Sequence, residues 1–185
     1  ASEKLPLYAS LAKQFGVADT TLLPVPLMNV INGGAHADSG LSFQECMLVP
    51  TDFTTFTDAL RAGAEVFHNL KSILKAKGHV TAVGDEGGFA PHLTNSDDAF
   101  AVLTEAIEKA GYTGRIKFAI DAAASEFYKD GMYHIDGKTL SSQELVQYYK
   151  DLCAKYPIVS IEDSHAEDDW EGFQNMITTM GDTVQ

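Results

Sequence analysis

The strands encoded in this chain limit its fold more than any other feature. Leu27 to Ile31, Leu41 to Val49, Ile116 to Ile120 and Ile158 to Ile161 are short apolar-rich runs without sustained polar–apolar alternation. Strands of that kind are covered on both faces, as in a parallel α/β sheet or barrel. Helical patterns lie between them. Leu60, Ala64, Phe67, Leu70 and Leu74 form one stripe that ends at Gly78. Phe100, Leu103, Ile107 and Ala110 form a second, opened by Ser96 as cap and closed by Gly111. Ser141 and Glu144 have the spacing of a capping box ahead of Leu145, Tyr148, Tyr149 and Leu152. Asp168-Asp169-Trp170 opens a last helix.

The element order read from these patterns is β-β-α-α-β-α-β-α. A helix over Leu5, Tyr8, Leu11, Ala12 and Phe15 precedes it, and Pro24 and Pro26 mark the connection. His79 to Val83 is a further short segment, and Asp130-Gly131 between aromatic-rich runs predicts a small hairpin. A closed eight-stranded α/β barrel takes about 250 residues. The 185 residues here have room for roughly half of one after the opening helix. The pattern therefore implies either an open sheet or part of a longer chain.

Acidic residues recur where these strands end. Glu45 follows Phe43-Gln44, Asp85 and Glu86 follow Val83-Gly84, Asp121 follows Ile120, and Glu162 and Asp163 follow Ile161. A single acid in such a place is ordinarily a helix cap or a solvated loop residue. Four strand ends that each deliver a carboxylate point instead to the C-terminal rim of a barrel, where active sites form. Asp121 and Glu162 lie 41 positions apart, one β-loop-α-β step, which predicts neighbouring strands. Carboxylates that close repel unless a cation lies between them, and all-oxygen ligands favour a hard ion such as Mg²⁺. The acids from Asp163 to Glu171 read mainly as a solvated helix N-terminus.

Asn32-Gly33-Gly34-Ala35-His36 and Gly84-Asp85-Glu86-Gly87-Gly88 place glycines around polar groups just after strands, where the backbone can turn sharply beside a ligand. Neither is a nucleotide-binding glycine loop. His36 reads either as a substrate contact or as a loop histidine bonded to backbone. Glu86, between apolar Val83 and Phe89, is a candidate general acid with a raised pKa.

Lys and Arg number 13 against 26 Asp and Glu, a formal net charge of −13. Such a surface repels phosphate backbones and anionic lipids, which argues against nucleic-acid and membrane-surface partners. No apolar run approaches the ~20 residues of a membrane span. The opening Ala1-Ser2-Glu3-Lys4 does not read as a signal peptide. Cys46 and Cys153 form no disulfide framework, which fits a reducing, cytoplasmic setting.

At these residues the sequence resembles the enolase family, the phosphopyruvate hydratases of glycolysis. The resemblance is carried by Pro24 through Asp38, Phe43-Gln44-Glu45-Cys46-Met47, Ala64 through Leu70, Val83 through Pro91, Ala119 through Tyr128 and Tyr156 through Asp163. It implies a modified TIM-like α/β barrel that begins ββαα(βα), present here as roughly its first half. Residues 1–22 would be the end of the N-terminal domain and linker, and residues 23–185 the first part of the barrel. It further implies Mg²⁺-dependent, reversible dehydration of 2-phospho-D-glycerate to phosphoenolpyruvate. By the same resemblance Asp121 and Glu162 are metal ligands and Glu86 is the acid at the C3 hydroxyl. Glu45 is its partner and a substrate contact, and Gln44 and His36 also contact substrate. A third metal carboxylate and the lysine base are expected beyond Gln185, so the segment alone is expected to be inactive. The full protein is expected to be a homo-oligomer, a dimer or octamer. The alternative is a non-catalytic interaction protein on this scaffold, with possible display at the cell surface. Ala35, Cys46 and Ser164-His165 depart from the usual family residues.

Overall fold

A computed structural model describes residues 4–18, 22–37, 39–84 and 86–185. In chain order the elements are α1 (Leu7–Phe15), β1 (Met28–Asn32), β2 (Glu45–Val49), α2 (Phe56–Ala76), α3 (Ser96–Ala110), β3 (Lys117–Asp121), β4 (Tyr128–Lys129), β5 (Met132–Ile135), β6 (Lys138–Leu140), α4 (Ser142–Lys155), β7 (Ile158–Glu162) and α5 (Trp170–Met180). Short 3₁₀ turns cover Gly34–His36 and Ala124–Phe127. The segment from His79 to Val83 forms no strand and contributes one bridge, Val83 to Phe89.

β1, β2, β3 and β7 lie side by side in that order. β3 and β7 are parallel, but β2 runs antiparallel to both of its neighbours. The antiparallel β2 differs from the parallel sheet or barrel that unalternating strands alone suggest, and the connections supply the reason. One helix between strands returns the chain to its starting end and gives a parallel pair, as α4 does between β3 and β7. Two packed helices, α2 and α3, return it to the end where β2 finished, so β3 must run back along β2.

Both faces of the sheet are apolar, which is why the strands do not alternate. Cys46, Leu48, Phe118 and Ile120 face the core shared with the helices. Met47, Val49 and Ala119 form a second, smaller cluster with Val159. The α2 stripe is rotated from its predicted position. Ala62, Val66, Leu70, Ile73 and Leu74 are buried, whereas Leu60 is exposed. The α3 cap is Asn95 rather than Ser96. Its side chain accepts from the Asp98 N–H, and Ser96 becomes the first, buried helical residue. The Ser141–Glu144 capping box forms as expected. At the far edge of β7, Gln185 exchanges backbone hydrogen bonds with Val159 and Ile161.

The β4-β5-β6 sheet turns at Asp130-Gly131 and again at Asp136-Gly137, all four residues with positive φ. Paired left-handed residues make the tight turn that matches strand twist. Asp136 also fastens this sheet to the helices. Its carboxylate accepts from the Ser96 N–H at the start of α3 and from the Tyr148 hydroxyl on α4, at 2.6 Å. Asp136→Ala should therefore destabilise the protein by about 1–3 kcal/mol. Asp136→Asn should cost less, because it tolerates the left-handed turn. Urea unfolding checks both, and an unchanged midpoint for the alanine variant would refute the fastening role.

Candidate active site

Strand register assembles the site. Asn32, Glu45, Asp121 and Glu162 are successive partners across β1, β2, β3 and β7, one row along a single end of the sheet. Asp121 and Glu162 thus lie on adjacent strands, and both close the C-terminal ends of theirs. Glu45 reaches the row differently from expectation. It begins β2 rather than following a strand, because residues 41–44 are irregular. Since β2 is antiparallel, its start lies at the rim where its neighbours end.

Burial and mutual repulsion act on every carboxyl in the row. Glu45 is pushed up to about 8, first by burial, then by a hydrogen bond with Glu86, then by the charges of Glu86, Asp121 and Glu162. Asp121 is raised by burial and by Asp163 and Glu86, against the opposing pull of two donors. Those donors are the Gln44 Nε2, 2.8 Å from Oδ2, and the Ala123 N–H, 3.1 Å from Oδ1. Glu162 is raised by burial and then by Asp121 and Asp163. Ala123 and Asp163 both adopt left-handed φ, 45° and 47°, in the turns that leave β3 and β7. For alanine this is an uncommon, costly conformation, and such residues gather at functional sites. Here the turn at Ala123 places the N–H that holds Asp121.

Glu86 is exposed on the loop beside Glu45, and a hydrogen bond joins these two candidate catalytic acids. Gln44 is brought into the row through Asp121. His36 ends the 3₁₀ turn after β1; its side chain, with Asp38 and Asp85, lies outside the described residues. His165 is 1% exposed. Its ring meets Tyr133, Tyr149 and Phe173, and its Nε2 lies 3.2 Å from the Ser142 carbonyl. Burial lowers its pKa, and the ring packs among these aromatic side chains. Asp169 caps α5 and accepts from the Tyr133 hydroxyl at 2.6 Å, as the solvated-terminus reading only partly anticipated.

Sequence reasoning did not single out Asn32, which is fully buried beside the acids. Its signal was available: two asparagines, Asn29 and Asn32, bracket apolar residues in a buried strand. A cleft of about 260 Å³ opens beside Gln44, Ala123 and Asp163. A larger cavity, about 610 Å³, lies away from the rim between α3, β6 and α4. Its Asp97 is bonded to Lys155 and its Asp136 to Tyr148. Among the described residues no three His, Cys, Asp or Glu side chains enclose a cation by themselves. The Asp121–Glu162 pair supplies two oxygen-bearing groups whose charges favour one.

A sheet whose strand ends collect carboxylates, with helices across its face, is the frame of a barrel enzyme's active-site rim. Residues 20–185 match the family model described as "Enolase, C-terminal TIM barrel domain". The chain belongs to the enolase family, and its mixed α/β sheet is part of that barrel. It is 50% identical over 183 residues to the enolase of a Nitratiruptor species, across 97% of this chain and 44% of that protein. The chain thus spans less than half the length of that relative.

The raised Glu45 has a consequence for stability in protein stripped of divalent cations. The folded state holds this proton up to about pH 8, whereas the unfolded chain releases it near 4.5. The folded state binds more protons in that window, so stability falls as pH rises through it. Solvent at the rim makes the effect smaller than the shift alone implies. Glu45→Gln should raise the thermal midpoint by a few degrees above pH 8 and leave it unchanged near pH 4.5. Equal changes at both pH values would contradict the carboxyl's raised pKa.

Proposed function

We propose that the protein containing this chain is a lyase that reversibly dehydrates 2-phospho-D-glycerate to phosphoenolpyruvate with Mg²⁺. The observation that carries this reading is the hydrogen-bonded Glu45–Glu86 pair set beside Asp121 and Glu162. Dehydration faces two obstacles. The proton next to a carboxylate is very weakly acidic, and hydroxide is a poor leaving group.

Glu86 is suited to the second obstacle. It is exposed towards a substrate, and Glu45 keeps a proton within the pair near neutral pH. Glu86 would pass that proton to the departing C3 hydroxyl, which leaves as water. Glu45 would hold the acid in place and contact the substrate, joined by Gln44 and by His36 from the turn after β1. Gln44 also orients Asp121 through its amide.

Asp121 and Glu162 suit Mg²⁺ because both are carboxylates, adjacent in register, and both raised in pKa by burial and like charge. Bound there, Mg²⁺ would neutralise negative charge developing on the substrate's carboxylate, the established strategy of enolase-superfamily sites. The third metal carboxylate and the lysine base are assigned to parts of the protein outside these 185 residues. Residues 1–22 are assigned to the neighbouring N-terminal domain and linker. α1 supports this, for none of its described residues is buried and Leu7, Tyr8 and Phe15 are exposed. The same reading takes the full protein as a cytoplasmic homo-oligomer, a dimer or octamer.

The full-length protein should form phosphoenolpyruvate from 2-phospho-D-glycerate, and a chelator should abolish this until Mg²⁺ is restored. Glu86→Gln should lower kcat by about 10²–10⁴-fold. Turnover near the wild-type rate in that variant would remove Glu86 from the acid role. Asp121→Asn should raise the Mg²⁺ concentration needed for half-maximal rate by at least about tenfold. An unchanged requirement would place the metal elsewhere.

A further inference from the structure

We infer that the Asn29–Asn32 amide pair is a positioning device that sets the height of the Glu86 loop over Glu45. This rests on the acid role assigned to Glu86 above. Residues three apart on a regular strand face opposite sides. A bulge in β1 changes that. Asn29 pairs with Met47, Ile31 with Cys46 and Asn32 with Glu45, so Val30 is the extra residue. Both amides consequently share the face that carries Glu45, and Asn29 Nδ2 donates to Asn32 Oδ1 at 3.0 Å.

The Glu86 loop rests on this pair. Asn32 N–H donates to the Phe89 carbonyl, Phe89 N–H to the Val30 carbonyl, and Gly84 N–H closes the loop on the Gly88 carbonyl at 2.8 Å. Phe89 stacks on Phe67 and anchors the loop's end in the core. Between these fixed ends the loop comes down onto Asn32. A Cβ on Gly84 would lie 2.8 Å from Asn32 Nδ2, and one on Gly88 would collide with Asn32 Oδ1. The glycines are there because the amide occupies the space a side chain would need.

Packing alone does not account for the amides. Asn29 Oδ1 and Asn32 Nδ2 are buried without a partner among the described residues. Such orphaned groups are rare in native interiors, and an apolar side chain of similar size would leave none. Asn32 therefore supports the loop at a defined height next to the acid row, and it acts through Glu86 rather than on the substrate.

Two arms on the full-length protein test this. In the kinetic arm, Asn32→Leu should lower kcat about 10–100-fold with KM within about threefold, because a displaced acid affects the chemical step. Unchanged kcat would overturn the proposal. In the second arm, hydrogen exchange at the Gly84 and Phe89 amides is followed in a double-mutant cycle. Gly84→Ala should speed exchange by at least about tenfold in the wild-type background and less than about twofold in Asn32→Ala, since the three atoms nearest that Cβ all belong to Asn32. Equal effects in both backgrounds would overturn it. Should the wild-type protein not turn over 2-phospho-D-glycerate at all, the assigned reaction fails, and the exchange cycle still decides whether Asn32 positions the loop.

Discussion

Negative charges held side by side against their own repulsion are the constraint around which this end of the molecule is built. Glu45, Asp121 and Glu162 are neighbours because the backbone register makes them so, and their strands hold the three backbone positions side by side. The chain responds in several ways. Burial and the hydrogen bond with Glu86 raise the Glu45 pKa to about 8, so that carboxyl need not be charged at neutral pH. Gln44 and the Ala123 N–H each donate to Asp121. Glu162 stays at the solvent-exposed end of the row. These measures reduce the strain without removing it, since all three pKa values remain raised. A divalent cation would reverse the balance, turning repulsion into ligation. This is the physical content of the proposed Mg²⁺ site.

The same constraint explains why the direction of β2 matters. If one helix joined β2 to β3, the two strands would be parallel and Glu45 would lie at the opposite end from Asp121. The paired helices α2 and α3 prevent this. Their packing against the sheet buries Val66, Leu70, Phe100 and Leu103, and it also delivers β3 from the correct end. A stretch of sequence with no chemistry of its own therefore decides which acids meet. The β1 bulge acts similarly at a smaller scale, by bringing Asn29 and Asn32 to one face beneath the Glu86 loop.

Much of the fold was legible because its signals are local. The unalternating runs, the Ser141–Glu144 box and the Asp130-Gly131 turn each depend on a few adjacent residues, and each formed. The errors share a different origin. Leu60 fitted a helical stripe as well as its neighbours did, and only the position of the sheet made Ala62 and Val66 the buried face. Ser96 has capping chemistry, but Asn95 next to it does as well, and the chain's path into α3 favoured Asn95. His165 stood out only as a departure from the family pattern, because nothing in the sequence brings Tyr133, Tyr149 and Phe173 around one ring.

By itself the sequence determined which residues could carry charge, turn sharply or line a core, and its dense family motifs named the acids at strand ends. Those properties belong to single residues or short stretches, so they survive without knowledge of the fold. Only the tertiary structure decided that Glu45 starts its strand, that Glu45 meets Glu86, and that a buried asparagine lies under the glycine loop. Each of these depends on pairing between segments far apart in the chain, and such pairing is set by sheet register and helix packing rather than by any local run of residues.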